Sequence, residues 1–227
     1  MKILGIDTST RFLSVAVKDG AKEALSVHGV DEFNHSLLLM PSIDKALHKC
    51  CLRLKDIDAI ALSIGPGSFT GLRIGVAAVK GINLALGLPI VPVPTLDVIA
   101  YNFVDEKAEV LCPIIDAKKG KVYTCFYRLE RWPGGRLRKG SDYMLTNIGD
   151  VIRMIGRETL VFGDGAGLYE RELARNALVK ISRKEWIPRA RVVAELGLRK
   201  AKKKQFVNPD RLVPMYLYSK YCQVKNR

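Results

Sequence analysis

The sequence predicts an α/β protein made of two related halves, and three observations carry that expectation. Apolar runs of strand length alternate with segments of helical spacing along the whole 227-residue chain. A strand that closes on an aspartate and then doubles back occurs twice, at Asp7 and again at Asp116. The chain is also long enough for two domains, and 48% of its residues are apolar, enough to give each a core.

The elements follow in order. "KILGID" (2–7) is apolar at nearly every position and reads as a buried strand; "FLSVAV" follows the polar turn Thr8 to Arg11, and "KEALSVHGV" adds a third strand. From Ser36 to Leu52 the apolar residues Leu38, Leu39, Ile43, Ala46 and Leu47 keep helical spacing, with Pro41 expected in the first turn. "IDAIALSIG" is a buried strand, the stretch from about Thr70 to Leu86 a helix, and "PIVPVPTLDVIA" a short strand followed by a helix capped at Thr95. The pattern then restarts: "VLCPIIDAKKGKVYTCFYRL" gives a strand ending at Asp116, a turn through Gly120 and a return strand from Val122. A helix near Asn147 to Ile155, the strand "TLVFG", a helix after Gly167, a basic helix from about Arg189 to Lys204 and an extended aromatic tail from Asn208 complete the chain. These signals place one domain at 1–103 and a second at 104–227, with the C-terminal tail free to pack back on the first.

Charge separates the halves. Of 37 Lys and Arg and 23 Asp and Glu, residues 1–103 hold 10 and 9, and residues 104–227 hold 27 and 14. An excess of +13 in the second half suits a polyanionic partner, since each neutralised phosphate releases condensed counterions; a solvated basic surface is the bland alternative. Lys118, Lys119, Lys121, Lys202, Lys203 and Lys204 are the expected contacts with such a polyanion. The five cysteines lack a C-x-x-C spacing, and His28, His35 and His48 lack H-E-x-x-H or H-x-x-x-H spacing, so neither a disulfide framework nor a metal site is expected. Asp7 interrupts what a secretion signal would need as its apolar core, which points to the cytoplasm.

The stretch "SIGPGSFTGLRIGVAAVKGINLALG" (63–87) resembles a phosphate loop only at first. A P-loop needs lysine where Leu72 stands, and the G-x-G-x-x-G fingerprint needs glycine where Thr70 stands. An N-cap at Ser68 or Thr70 starts a helix in which small residues recur, at Gly71, Gly75, Ala77, Gly81 and Ala85. Interior helix glycines each cost about 1 kcal/mol relative to alanine, and close approach of another backbone is the usual reason for them. The two candidates are the helix's own sheet and a partner subunit. Arg73, Lys80 and the length of the run speak against a membrane span.

"MKILGIDTST", "NHSLLLMPSID", "SIGPGSFTGLRIGVAAVKGINLALGLPIVPVPTLD", "DAKKGKVY", "FGDG" and "VPMYL", in this order over nearly the whole chain, resemble the bacterial TsaB family, also called YeaZ. The resemblance implies two tandem domains of the actin and sugar-kinase (ASKHA, ribonuclease H-like) fold. It implies a noncatalytic scaffolding subunit of the complex that transfers a threonylcarbamoyl group to the adenosine beside the anticodon of tRNA. The expected partners are a TsaD-like catalytic subunit, a TsaE-like ATPase, tRNA through the complex and, when alone, a second copy; no membrane is expected. No cofactor belongs to this subunit, and ATP and a metal ion are expected in the partners.

By that resemblance the helices near 36–52 and 70–86 form the docking surface, with His35, Leu39, Ile43, Gly71, Arg73, Ile74, Gly75, Ala78, Gly81 and Ile82 as partner-binding residues. Asp7, Thr8 and Asp116 match the nucleotide-binding turns of actin-like kinases in part: Thr8, Ser9 and Thr10 stand where Asp-x-Gly-Thr is usual. No catalytic or metal-binding residue is assigned. The alternatives are a glycoprotease-like metallopeptidase and a stand-alone nucleotide-binding ATPase, the latter resting on Asp7, Thr8, Asp116 and the fold alone.

Overall fold

The computed structural model describes residues 1–20, 22–29, 34–130, 136–184 and 186–218, with backbone only for 22–29 and 136. Its elements in chain order are β1 (Lys2–Asp7), β2 (Phe12–Asp19), β3 (Lys22–Gly29), α1 (His35–Lys49), β4 (Ala59–Ser63), α2 (Phe69–Leu86), β5 (Ile90–Val93) and α3 (Thr95–Tyr101). Then come β6 (Val110–Asp116), β7 (Val122–Thr124), β8 (Tyr127–Glu130), β9 (Arg136–Lys139), β10 (Met144–Thr146), α4 (Ile148–Met154), β11 (Thr159–Phe162), α5 (Asp164–Leu168), α6 (Glu170–Leu173), β12 (Val179–Ile181) and α7 (Ala190–Lys202). Two units separate by internal packing: Met1–Val98 with Pro188–Met215, and Ile99–Ile187 with Tyr216–Arg227.

The first unit holds a sheet of order β3-β2-β1-β4-β5, antiparallel from β1 through β3 and parallel from β1 through β5. Successive side chains of a strand point to opposite faces. Leu4 and Ile6 of β1 and Ile60 and Leu62 of β4 therefore share one face, where they pack with Leu39, Ile43, Val76, Val79 and Ile82 of α1 and α2. Ile3, Gly5 and Ala61 take the other face, under α7. That face is small for a reason: a Cβ on Gly5 would sit 2.8 Å from the Ala194 amide and would collide with the Ala190 carbonyl, and a Cβ on Gly197 would collide with Ala61. Helix α7, counted with residues 104–227 from the sequence, thus belongs by its packing to the first unit, as does the following segment, whose Leu212 is 2% exposed in the same core.

The second unit holds a sheet of order β10-β7-β6-β11-β12, again antiparallel on one side of β6 and parallel on the other, with β8 and β9 added as a hairpin on β6. Position for position this is the strand order of the first sheet. Cys112, Ile114, Val122, Val161, Val151 and Leu173 form its core with α4, α5 and α6.

Several local expectations change. Helix α1 starts at His35 and stops at Lys49, and Pro41 is its seventh residue. Proline removes the hydrogen bond to the Leu37 carbonyl, and both residues lie on the exposed face, where solvent takes that role. Thr95 is the first residue of α3, and its hydroxyl is held by Ser63 Oγ at 2.9 Å and by the Gly65 amide at 3.1 Å. The return strand from Val122 breaks after Thr124, and the helix expected after Gly167 starts already at Asp164. Val30 and the tail beyond Tyr218 lie outside the described residues.

Candidate functional site

Helix α2 begins where the β1 turn is buried. Ser68 caps it, accepting a hydrogen bond from the Gly71 amide at 3.2 Å, and the Ser68 amide donates to the Ser9 carbonyl at 2.7 Å. The first turn of the helix then lies directly on residues 8 and 9. A Cβ on Gly67 would collide with the Ser9 carbonyl and one on Gly71 with the Thr8 carbonyl; one on Gly75 would stand 2.5 Å from Thr8 Oγ1. The glycines at 67, 71 and 75 serve the helix's approach to its own chain.

Asp7, Thr8 and Ser9 are accordingly 0% exposed. Asp7 Oδ1 accepts from the Ser9 amide and the Ser9 hydroxyl, both at 2.9 Å, while Oδ2 has no hydrogen-bond partner among the described residues. Burial pushes the Asp7 carboxyl up to about 6; Ser63, whose hydroxyl is shared with Thr95, the two Ser9 donors and His35 pull the other way. Thr8 Oγ1 and both ring nitrogens of His35 are likewise buried with no hydrogen-bond partner among the described residues. Asp7 and Thr8 therefore present no surface to a nucleotide. Asp116, half-buried, is spoken for: it holds the Lys118 ammonium and the Lys118 amide, each at 2.8 Å, while its own amide donates to Asp164 Oδ1 at 3.0 Å.

The partner-binding set divides by depth. His35, Leu39, Ile43, Gly71, Gly75 and Ile82 are buried inside the first unit, on the inner side of the two helices. Ile74 and Ala78 are half-buried, and Arg73 and Gly81 are exposed. The outer side carries, besides Ala77, residues that the motif reading passed over: Leu37 (71% exposed), Met40 and Pro41 on α1, and Phe69 and Leu84 (90% exposed) on α2. The Arg73 guanidinium stacks 3.7 Å above the Phe69 ring. Spacing held the signal: Arg73, Ala77, Gly81 and Ala85 recur every fourth residue, one helical face removed from Leu72, Val76 and Val79. A Cβ on Gly81 meets nothing within 4 Å. By length and composition alone α2 suffices to cross a bilayer, contrary to the expectation, but its inner side is the core of this unit.

Of the lysines, Lys118 is ion-paired to Asp116, whereas Lys119 and Lys121 stand exposed on the β6–β7 turn, and Lys202, Lys203 and Lys204 are exposed at the C-terminal end of α7.

Comparison with known proteins agrees in direction. The TsaD family, described as tRNA N6-adenosine threonylcarbamoyltransferase, matches residues 30–161. A tRNA threonylcarbamoyladenosine biosynthesis protein TsaB from Bacillus subtilis is 29% identical over 96% of this chain and 94% of its own length, and one from Buchnera aphidicola is 32% identical over 75% and 81%. The structure of YeaZ from Pseudomonas aeruginosa superposes with a TM-score of 0.81 at 25% identity, covering 95% of this chain and 99% of that one. The chain belongs to the TsaB family, also known as YeaZ.

Proposed function

We propose that this chain acts in tRNA threonylcarbamoyladenosine biosynthesis as a noncatalytic subunit that docks on a TsaD-like catalytic partner. The observation that carries this reading is the outer side of α1 and α2, where Leu37, Met40, Phe69 and Leu84 are exposed together with the side-chain-free position Gly81. Large apolar side chains held on two neighbouring helices are disfavoured in water, and a partner helix that covers them gains roughly 25 cal/mol per Å² of apolar area removed from water. Gly81 and Ala77 let such a helix approach closely. In isolation the same face is open to a second copy of the chain.

The closed β1 turn supports a subunit without its own nucleotide chemistry, with ATP and metal held by partners of the TsaD and TsaE kind. The relatives' names do not favour a glycoprotease. The repeated strand order supports two tandem domains of the actin-like fold, and a tRNA substrate supports a cytoplasmic site of action.

The test is Leu84→Glu. Leu84 takes no part in the core of the first unit, so the variant folds, and co-purification with the cognate TsaD is expected to be lost. Retention at wild-type affinity overturns the docking assignment.

A further inference from the structure

We propose that the β6–β7 turn is a contact for the sugar-phosphate backbone of RNA, made by Lys119 and Lys121; this rests on the tRNA-modification reading above. The turn is built in an unusual way. The Ala117 amide donates to the Lys121 carbonyl at 2.9 Å and the Lys121 amide to the Lys118 carbonyl at 3.0 Å, so Lys119 and Gly120 are the central pair of a tight hairpin turn. Their φ values are 53° and 71°, the left-handed pair for which Asn-Gly is the preferred sequence, and Lys118 before them also has φ 63°. A lysine gains nothing locally from a left-handed backbone, and asparagine or glycine would form the turn with less strain. Lys118 there meets Asp116, and Lys119 is explained by what its side chain meets outside the chain.

The surroundings fix the turn and direct its charge. Asp116 binds the Lys118 ammonium, leaving Lys119 and Lys121, which make no ion pair among the described residues. Tyr218 donates its hydroxyl to the Ala117 carbonyl at 3.0 Å and reaches the Lys118 carbonyl at 3.3 Å, while the Lys121 ammonium stands 5.8 Å over the Tyr218 ring. Tyr123 supports Tyr218 edge-on at 6.2 Å between ring centres. Two cations are thus held two residues apart on a tight turn. A phosphodiester backbone supplies anions at short, regular intervals, which an acidic peptide or a lipid surface does not do in the same fixed geometry.

Two variants of the full-length chain test this against wild type, using an unmodified transcript of a tRNA that reads codons beginning with A and a series of salt concentrations. In Lys119→Gly/Lys121→Gln the turn keeps a residue suited to φ 53° and loses both charges. Its melting temperature is expected to hold or rise, its affinity to fall roughly tenfold, and its slope of log K against log salt to flatten by about 1.5. Tyr218→Phe keeps every charge but loses the hydroxyl tether, and an intermediate loss of affinity is expected. Unchanged affinity and slope in the double variant overturn the proposal. So does equal, equally lysine-dependent binding of poly-glutamate or of vesicles rich in anionic lipid. Co-purification with TsaD reports separately on the docking reading, so either can fail while the other stands.

Discussion

Gly75 of α2 and Thr8 of the β1 turn are packed so closely that a side chain on the glycine would reach within 2.5 Å of the threonine hydroxyl. Six residues further along the same helix, Gly81 faces open space. One sequence feature, a glycine in a helix, thus has two opposite energetic meanings. Gly75→Ala is expected to lower stability by about 1–3 kcal/mol through overpacking, and Gly81→Ala to raise it by about 1 kcal/mol through helix propensity. Urea denaturation midpoints check both, and equal shifts in the same direction would contradict the two-sided assignment.

Asp7 makes stability depend on pH in a defined direction. Its carboxyl ordinarily titrates near 3.8 and is raised to about 6 in the folded chain, chiefly by burial. The folded state therefore holds this proton more tightly than the unfolded state. The resulting stability is fully present below pH 3.8 and is lost as pH rises through about 6, with a limiting size of roughly 3 kcal/mol. Asp7→Asn keeps the acceptor for Ser9 and cannot ionise. Relative to wild type it is expected to gain stability between pH 4.5 and pH 8, as read from denaturation at the two values.

Ser14 on β2 caps a helix that begins far away in sequence. Arg189, the residue before α7, has no side-chain cap, and Ser14 Oγ instead accepts from the Ala190 amide at 2.9 Å, both groups buried. Ser14→Ala leaves that amide without its acceptor and is expected to cost about 1–2 kcal/mol. Amide hydrogen exchange should accelerate at the start of α7 more than in α1; uniform acceleration would point to a general loss of packing.

The alternation of strands and helices, the two strands ending at Asp7 and Asp116, a helix cap at Ser68 or Thr70 and the uneven distribution of charge were all legible in the amino-acid order, because each rests on local periodicity or on simple composition. Short segments such as β12, and the break after Thr124, escaped because three or four residues carry too little pattern to oppose their neighbours. What periodicity leaves undecided is which neighbour a small residue serves. Gly71 and Gly81 look alike along the chain, yet Thr8 stands against one and nothing against the other. Only the folded chain brings residue 8 to residue 71, residue 14 to residue 190 and α7 across to β1, since such contacts depend on where distant strands pair. Residue type set which surfaces had to be covered, and three-dimensional packing decided what covered them: the chain itself over the β1 turn, and no described residue of this chain over the outer side of α2.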